Sequence, residues 1–481
     1  PRPAGALLMR RQGLLGLIWA STPGKLGLVL AVILVASSLL VIVTFPLDFG
    51  PSRWSNPAVW ADHPKAVPPA WTAALSGDAV QHQVIEADEP TDSTERGTAR
   101  IEIYDLVFEH TADEPPTFLS FSLGEVTYAE RPPSLSVTLL RPDGATVPLL
   151  RTTIRGPRPG EEPPYVRHDE TPLRVLVTAE PEVAQATSEM LADTYDLRFP
   201  ASEIEDDTTA FLFGAPDASG ELQPLHGEYT AQVRVALAGA EDDVAWVRFV
   251  VGGTVFGLMG TDSSGRDLVQ GLAFGLPIAL LIGIAAATVS TTIGTGLGML
   301  SGYKGGRVDL VIQRAADVIN NVPLLPLLIF FVFIFGAQLW LILTLLVLFS
   351  WPGLAITVRS MVLGLSGSQE VEAARALGAS SRHILVKHVF PHTAPYVFMS
   401  LIFFVPAVIL TEAGLSFLGL GDPSLPTWGQ MLEEGYQTGA VFLGYWWWVV
   451  SPGLLIVITA MAFMLLALAM EPVVNPRLRR D

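Results

Sequence analysis

Cysteine is missing from all 481 residues. Disulfide staples, thiolate nucleophiles and cysteine-ligated zinc are excluded with it. Lysine is scarce, at four residues against 25 arginines, a bias from which no function follows. Charge is thin as well: 16% of residues are charged while half are hydrophobic. That balance suits a membrane protein carrying a soluble part. No G-x-x-x-x-G-K-[ST] phosphate loop occurs, and "GYKGG" at 302–306 is not one, so any nucleotide chemistry belongs to a partner. Neither H-E-x-x-H nor a G-x-S-x-G elbow is found, and there is no internal repeat. A formal net charge of −18 speaks against a nucleic-acid partner.

What is present is long apolar runs. "LGLVLAVILVASSLLVIVTF" (26–45) carries no charge over the length of one bilayer helix. It is too long for a signal-peptide core, and no A-x-A-like site follows, so it reads as an uncleaved anchor. Five further spans are expected at 270–299, 311–335, 338–358, 392–414 and 446–470. Basic residues set the orientation: Arg2, Arg10, Arg11, Lys25, Lys304, Arg307, Arg375, Arg382, Lys387, Arg477, Arg479 and Arg480 fall in segments that would share the inner side. The connection 415–445 has neither lysine nor arginine and is placed outside. The expectation is a six-helix α-helical polytopic membrane protein, with both termini cytoplasmic and "YWWW" (445–448) in the outer aromatic belt.

Between the first two spans lies a polar region, 46–258. It holds 35 acidic against 14 basic residues, a net of −21, and the remainder of the chain nets +3. "TFLSFSLGEVTYA", "SLSVTLLRPDGATVPLL", "LRVLVTA", "EYTAQVRVALAG" and "DVAWVRFVVGG" read as strands, "RPDG" as a hairpin turn, and "EVAQATSEMLADTY" as a helix. A β-sandwich-like extracytoplasmic domain is expected behind a Pro-rich, poorly ordered lead-in at 51–95. Its histidines, His63, His82, His110, His168 and His226, have no metal-ligand spacing and read as solvated surface.

"EVEAARALGASSRHILVKHVFPH" (370–392) interrupts the apolar half with charge. Ser368 can cap a helix whose first turn holds Glu370 and Glu372, where the helix dipole favours negative charge. Gly378 sits where a glycine would stop that helix. Ser380 can cap a second helix, and Pro391 suits the first turn of the next membrane span. Two short helices joined by a sharp glycine bend are expected.

Glu372, Ala373, Ala374, Gly378 and Pro391 fit the pattern E-A-A-x3-G followed, 12 residues later, by a hydrophobic–proline pair. This resembles the signature loop of the membrane subunits of ATP-binding-cassette importers. Phe390 stands where that family usually has Leu, and His388 where it usually has Ile; peptide-type members often carry His there. "GTDSSGRDLVQGLAFG" (260–275) and "LTEAGLSFLGLGDPSLPTWGQML" (410–432) are similar to blocks of the dipeptide/oligopeptide/nickel permeases. The resemblance covers about 255–475 and the first helix, and says little of 50–250. It implies the type I importer fold; hydropathy and charge divide the chain into 1–45, 46–258, 259–475 and a basic tail at 476–481, and the outer domain departs from typical members, which have only a short loop after the first helix. It implies a second homologous permease, two ATPase subunits and an extracytoplasmic solute-binding protein as partners. ATP and Mg would be bound by the ATPases, and no cofactor or catalytic residue belongs to this chain. The loop 368–391 would be the lever on which an ATPase pushes. Peptides are the family's default substrate, with nickel and oligosaccharides among relatives.

Other candidates sit inside the membrane part. Asp317, Asn320 and Glu412 are candidates for the translocation path or a gate, with an Arg314–Asp317 pair as the plainer reading of the first. Glu412 is expected to serve structure or gating rather than recognition. Gly294, Gly298 and Gly302 repeat at four-residue spacing and suit close helix packing, intramolecular before intermolecular. Two other functions compete: a membrane-anchored binding or sensory module, which would need no ATPase partner, and an enzyme with its site in the outer domain, which would need convergent catalytic groups there.

Overall fold

The computed structural model describes residues 19, 21–97, 99–217 and 220–474. The terminal arginines on which part of the orientation argument rests lie outside the described residues. Two compact units are formed, Pro1–Pro57 with Gln270–Asp481, and Ala58–Val269.

Helix α1 is Thr22–Thr44; the Ser21 hydroxyl accepts from Gly24 N, and a proline sits in its first turn. After it, the chain does not become loose. A π-helical turn at Gly50–Trp54 buries Phe49 and Trp54, and the Phe49 ring lies between those of Phe45 (5.0 Å) and Phe274 (4.8 Å).

The second unit is the β-rich one. Its strands are β1 Gln83–Ala87, β2 Asp92–Arg96, β3 Ala99–His110, β4 Leu119–Tyr128, β5 Ser134–Leu140, β6 Thr146–Thr153, β7 Tyr165–Arg167, β8 Leu173–Val175, β9 Gly214–Pro216, β10 Leu222–Pro224, β11 Gly227–Leu237 and β12 Asp243–Val251. Three helices, α2 Pro181–Tyr195, α3 Ala201–Asp206 and α4 Thr208–Phe213, fall between β8 and β9. One sheet runs β1–β12–β4–β7 with β8 also on β4; a second runs β2–β3–β11–β5–β6; β9 and β10 pair with each other, and all of these strand pairings are antiparallel. Alternation sends Tyr104, Leu106 and Phe108 of β3, Val233 and Val235 of β11 and Val137 and Leu139 of β5 into one core, where they meet Phe121 and Leu123 of β4 and Val247 and Phe249 of β12. Val183, Met190 and Leu191 of α2 complete it. The "RPDG" turn forms, with Gly144 at φ +84°. Its Arg141 is buried, donating to the carbonyls of Phe211, Leu212 and Gly214 and pairing with Asp143 at 2.9 Å.

The expected disorder of the lead-in is wrong. Residues 58–82 lie along 252–267: Ala66 N bonds Asp262 O, Ala70 N bonds Gly257 O, Phe256 N bonds Pro68 O, and Thr254 N bonds Val80 O. Trp60, Val67 and Val80 are buried, which supplies the apolar area that proline content alone hides. "LRVLVTA" is mostly not strand; β8 stops at Val175 and a 3₁₀ turn follows at Val177–Ala179.

The apolar unit continues with α5 Leu268–Lys304, α6 Gly306–Asn321, α7 Leu324–Phe335 and α8 Leu339–Ser366. After these come the short α9 Gln369–Ala376 and α10 Ser381–Ile384, then α11 Phe390–Leu415, α12 Trp428–Gln437 and α13 Trp446–Val474. Among the described residues five helices are long and apolar enough to cross a membrane, or six if α6 and α7 count as one bent span. The expected continuous helix at 311–335 is therefore corrected: α6 and α7 meet at 78°. Pro323 lacks the N–H to continue the ladder, and Val322 before it is held extended at ψ 121°. The α7 piece, 12 residues, rises only about 18 Å, less than a hydrocarbon core.

Small residues set the helix contacts. A Cβ on Gly294, Gly298 or Gly302 of α5 would stand 2.8, 2.6 or 2.7 Å from the carbonyls of Trp351, Ala355 and Arg359 on α8. The stripe thus packs within the chain. Gly27 does the same for α1 against Leu465 and Leu466 of α13. The tryptophan belt is corrected in part: Trp446 is exposed, but Trp447 and Trp448 are buried.

Candidate functional site

The charged interruption folds as a helix, a glycine stop and a long continuation. Ser368 occupies the N-cap of α9 without a side-chain capping bond, though its carbonyl accepts from Glu372 N. Glu370 and Glu372 stand in the first turn and Arg375 in the last, matched to the dipole. Gly378 has φ +79°, Ala379 N donates to Ala374 O, and Gly378 N donates to Arg375 O. Those two bonds are a Schellman stop, in which the left-handed residue lets the chain turn back and use the last carbonyls. Ser380 then caps the next helix, its hydroxyl accepting from His383 N.

The second helix is not a separate short piece, as the sequence suggests. From Ser381 the backbone stays helical through α10 and the next turn into α11, to Leu415. Within it Leu385–Val389 widens to a π turn. Pro391 follows two residues after Val389; its ring has no N–H to return to the preceding turn, and an added residue relieves the clash with that turn's carbonyl.

The short helix α9 is anchored by one face. Val371 and Ala374 are buried in a cluster with Val358 and Val362 of α8, Ile384, Val389, and Val397 of α11, to which Met299 and Tyr303 of α5 add. The Arg375 guanidinium lies 5.5 Å from the Tyr303 ring centre. Glu370 approaches His392 at 3.5 Å. The opposite face is open: Glu372, Ala373, Ala376 and Leu377 are exposed, Leu377 to 88%. The alanine pair is therefore divided, Ala373 outward and Ala374 against the chain's own helices.

A second constellation was not legible. Asp309 of α6 holds Arg359 of α8 through two 2.5 Å contacts and accepts from Ser301 of α5, to which Gln313 also donates at 3.1 Å. Three helices are joined at one carboxylate. The partners are 50 residues apart, and no periodicity links them.

The other sequence candidates separate. Arg314 and Asp317 pair at 3.6 Å in the open, and Asn320 is exposed. Glu412 is buried, 3% exposed, with Ser416 donating to it at 2.8 Å. Close packing seals this spot: a Cβ on Gly429 would come 2.6 Å from Ala413 O, and one on Gly421 2.4 Å from the Ser416 hydroxyl. No hydrogen bond or ion pair joins Glu412 to Asp317 or Asn320 among the described residues.

In the β-rich unit the histidines are not simply surface. His63 and His82 both pack against Phe256, and His63 Nδ1 lies 3.2 Å from Gly265 O. Burial pushes the His63 imidazole below its ordinary pKa, and burial reinforced by His63 takes His82 down to about 4. Burial, with His226 nearby, lowers His110 too. Among the described residues no three His, Cys, Asp or Glu side chains come together to hold a metal ion.

A family model described as the binding-protein-dependent transport system inner membrane component matches residues 294–480. The dipeptide transport system permease protein DppC of Bacillus subtilis is 34% identical over 222 residues, 46% of this chain and 69% of that protein. The oligopeptide transport system permease protein OppC of Haemophilus influenzae is 34% identical over 239 residues, 49% of this chain and 76% of its own. The chain belongs to this family. A solved structure of the MetNI methionine ABC transporter, inward facing, is similar over 44% of this chain and 98% of its own, at 21% identity and a TM-score of 0.35. As a family member, the protein is a multi-pass membrane permease, and the relatives it matches are named as permeases of transport systems. Its α9–Gly378–α11 segment lies inside the matched range. Less than half of the chain aligns with either relative.

Proposed function

We propose that this permease is one transmembrane subunit of an ATP-driven importer and moves peptides inward by alternating access. Peptide transport is what the names of its relatives state. A second permease, two ATPase subunits binding ATP and Mg, and a solute-binding protein complete the assembly. The α9 face bearing Glu372, Ala373, Ala376 and Leu377 docks the ATPase on the cytoplasmic side. Residues 58–269 then lie outside, inserted between the first and second of six spans, and both termini lie inside.

One observation carries this reading. The short helix α9 is free on one face and buried on the other against α8 and α11, with a left-handed glycine fixing its angle to the long helix. A push on the open face is therefore delivered to membrane helices without a soft joint. Glu412, sealed from solvent, serves as a packing or gating element; Asp317 and Asn320 lie on the exposed face of α6.

Gly378→Val tests the lever. Forcing a β-branched residue into φ +79° costs on the order of 1–2 kcal/mol locally and destroys the Schellman stop. ATP-driven peptide uptake by the assembled transporter is expected to vanish while the chain still inserts at wild-type level. Uptake within twofold of wild type would remove the lever role.

A further inference from the structure

Charge in the β-rich unit is segregated. Residues 131–160 hold five of the 14 basic residues of the 46–258 region (Arg131, Arg141, Arg151, Arg155 and Arg158) but one of its 35 acidic ones, Asp143. That stretch contains the β5–β6 hairpin. Arg141 is consumed internally by Asp143 and three carbonyls. The outward face of the hairpin is different. Ser136 of β5 pairs directly with Arg151 of β6 on one side and with Arg234 of β11 on the other. Directly opposed residues project from the same face of a sheet. The two arginines therefore flank Ser136 across two strand spacings, about 10 Å. Both are exposed, and neither has a hydrogen-bond or ion-pair partner among the described residues.

They line one concavity of about 530 Å³, together with Ser134, Ser136, Thr138 and Thr153. A register shift between Val137 and Thr138 breaks the β5–β6 ladder within it. Such a bulge bends its strand and increases the local twist, which hollows an otherwise flat face. The volume is in the range of small-ligand sites. Two unpaired guanidiniums with hydroxyls between them are a donor set for carboxylate oxygens, and no acid of this acidic unit fills it.

We infer that the β5–β6–β11 face binds short peptides by their C-terminal carboxylate, the arginines holding the charge and the hydroxyls of Ser136 and Thr138 its oxygens. This rests on the peptide-import reading and gives the β-rich unit a part in it, as a site that holds substrate by a group every unmodified peptide carries.

The test uses the full-length chain in nanodiscs of zwitterionic lipid. A random tripeptide mixture, and the same mixture amidated at the C-terminus, are compared by equilibrium dialysis with mass spectrometry. Free acids should bind roughly tenfold or more tightly than amides, and Arg151→Gln/Arg234→Gln should remove that preference. Arg198→Gln, an exposed arginine elsewhere in the unit, should leave it intact. An unchanged melting profile certifies the double variant as folded, since both positions are exposed. Equal binding of acid and amide, or a preference surviving in the double variant, overturns the inference; so does binding of inorganic phosphate without binding of tripeptide. Uptake of the same mixture by the assembled, ATP-driven transporter separates the two levels. Uptake without carboxylate preference defeats the site alone, and absence of both binding and uptake defeats the peptide reading as well.

Discussion

At the scale of single residues, the decisive positions are those whose backbone or burial leaves little choice. Gly378 was legible because a left-handed stop has a residue signature, glycine just past a helical run. Ala374 was legible as a helix former but not as an inward one; which alanine stays exposed depends on helices distant in sequence. His82 was read as solvated because histidine in a polar, acidic region usually is, and only the fold brings Phe256 and His63 against it. Its consequence is a pH dependence with a definite sign. Because burial lowers the folded pKa of His82 to about 4, the unfolded chain takes up its proton first as pH falls. The contribution is complete above about pH 6.5 and is lost progressively toward pH 4. His63 acts in the same direction, while Asp62 and Asp267 oppose it. The melting temperature of the full chain should therefore drop between pH 6.5 and 5, and His82→Gln should flatten that slope. An identical slope in the variant would show that His82 is not buried as described.

At the scale of elements, the long apolar helices and the strongly alternating strands follow directly from periodicity. Strand β3 alternates in burial from Glu102 to His110 and was nonetheless passed over, because a glutamate stands on the buried face and Ile101, Ile103 and Val107 stand on the open one, so polarity does not follow the pleat. The break between α6 and α7 was available in Pro323 but was outweighed by hydropathy, which does not register a bend. Close packing was half legible: the glycine stripe announced a tight contact but not its partner α8. The Asp309–Arg359 bridge was invisible, since only folding brings the two together. Asp309→Asn or Arg359→Gln alone should cost about 2 kcal/mol by leaving a half-buried charge unmatched. The swap of the two, Asp309→Arg with Arg359→Asp, should recover part of it. Thermal midpoints of the purified permease measure this; a swap no better than either single change would mean that the pairing does not matter.

At the scale of the whole molecule, two kinds of sequence share one chain. The apolar unit is read by its family, and its loop is the proposed point of coupling. Beyond residues 260–269, the acidic unit carries none of the motifs that identify the other, and charge and shape are what point to its role. The lack of any native cysteine makes the central claim, that the open face of α9 receives an ATPase, directly accessible. A single cysteine at Ala373 would project from that face, and one at Ala374 would be buried beneath it. In native membranes a short bifunctional reagent should join Ala373→Cys to an ATPase subunit, and the yield should change when ATP is added; Ala374→Cys should give no adduct. Failure of Ala373→Cys to reach any ATPase, with the transporter otherwise assembled and active, would contradict the account.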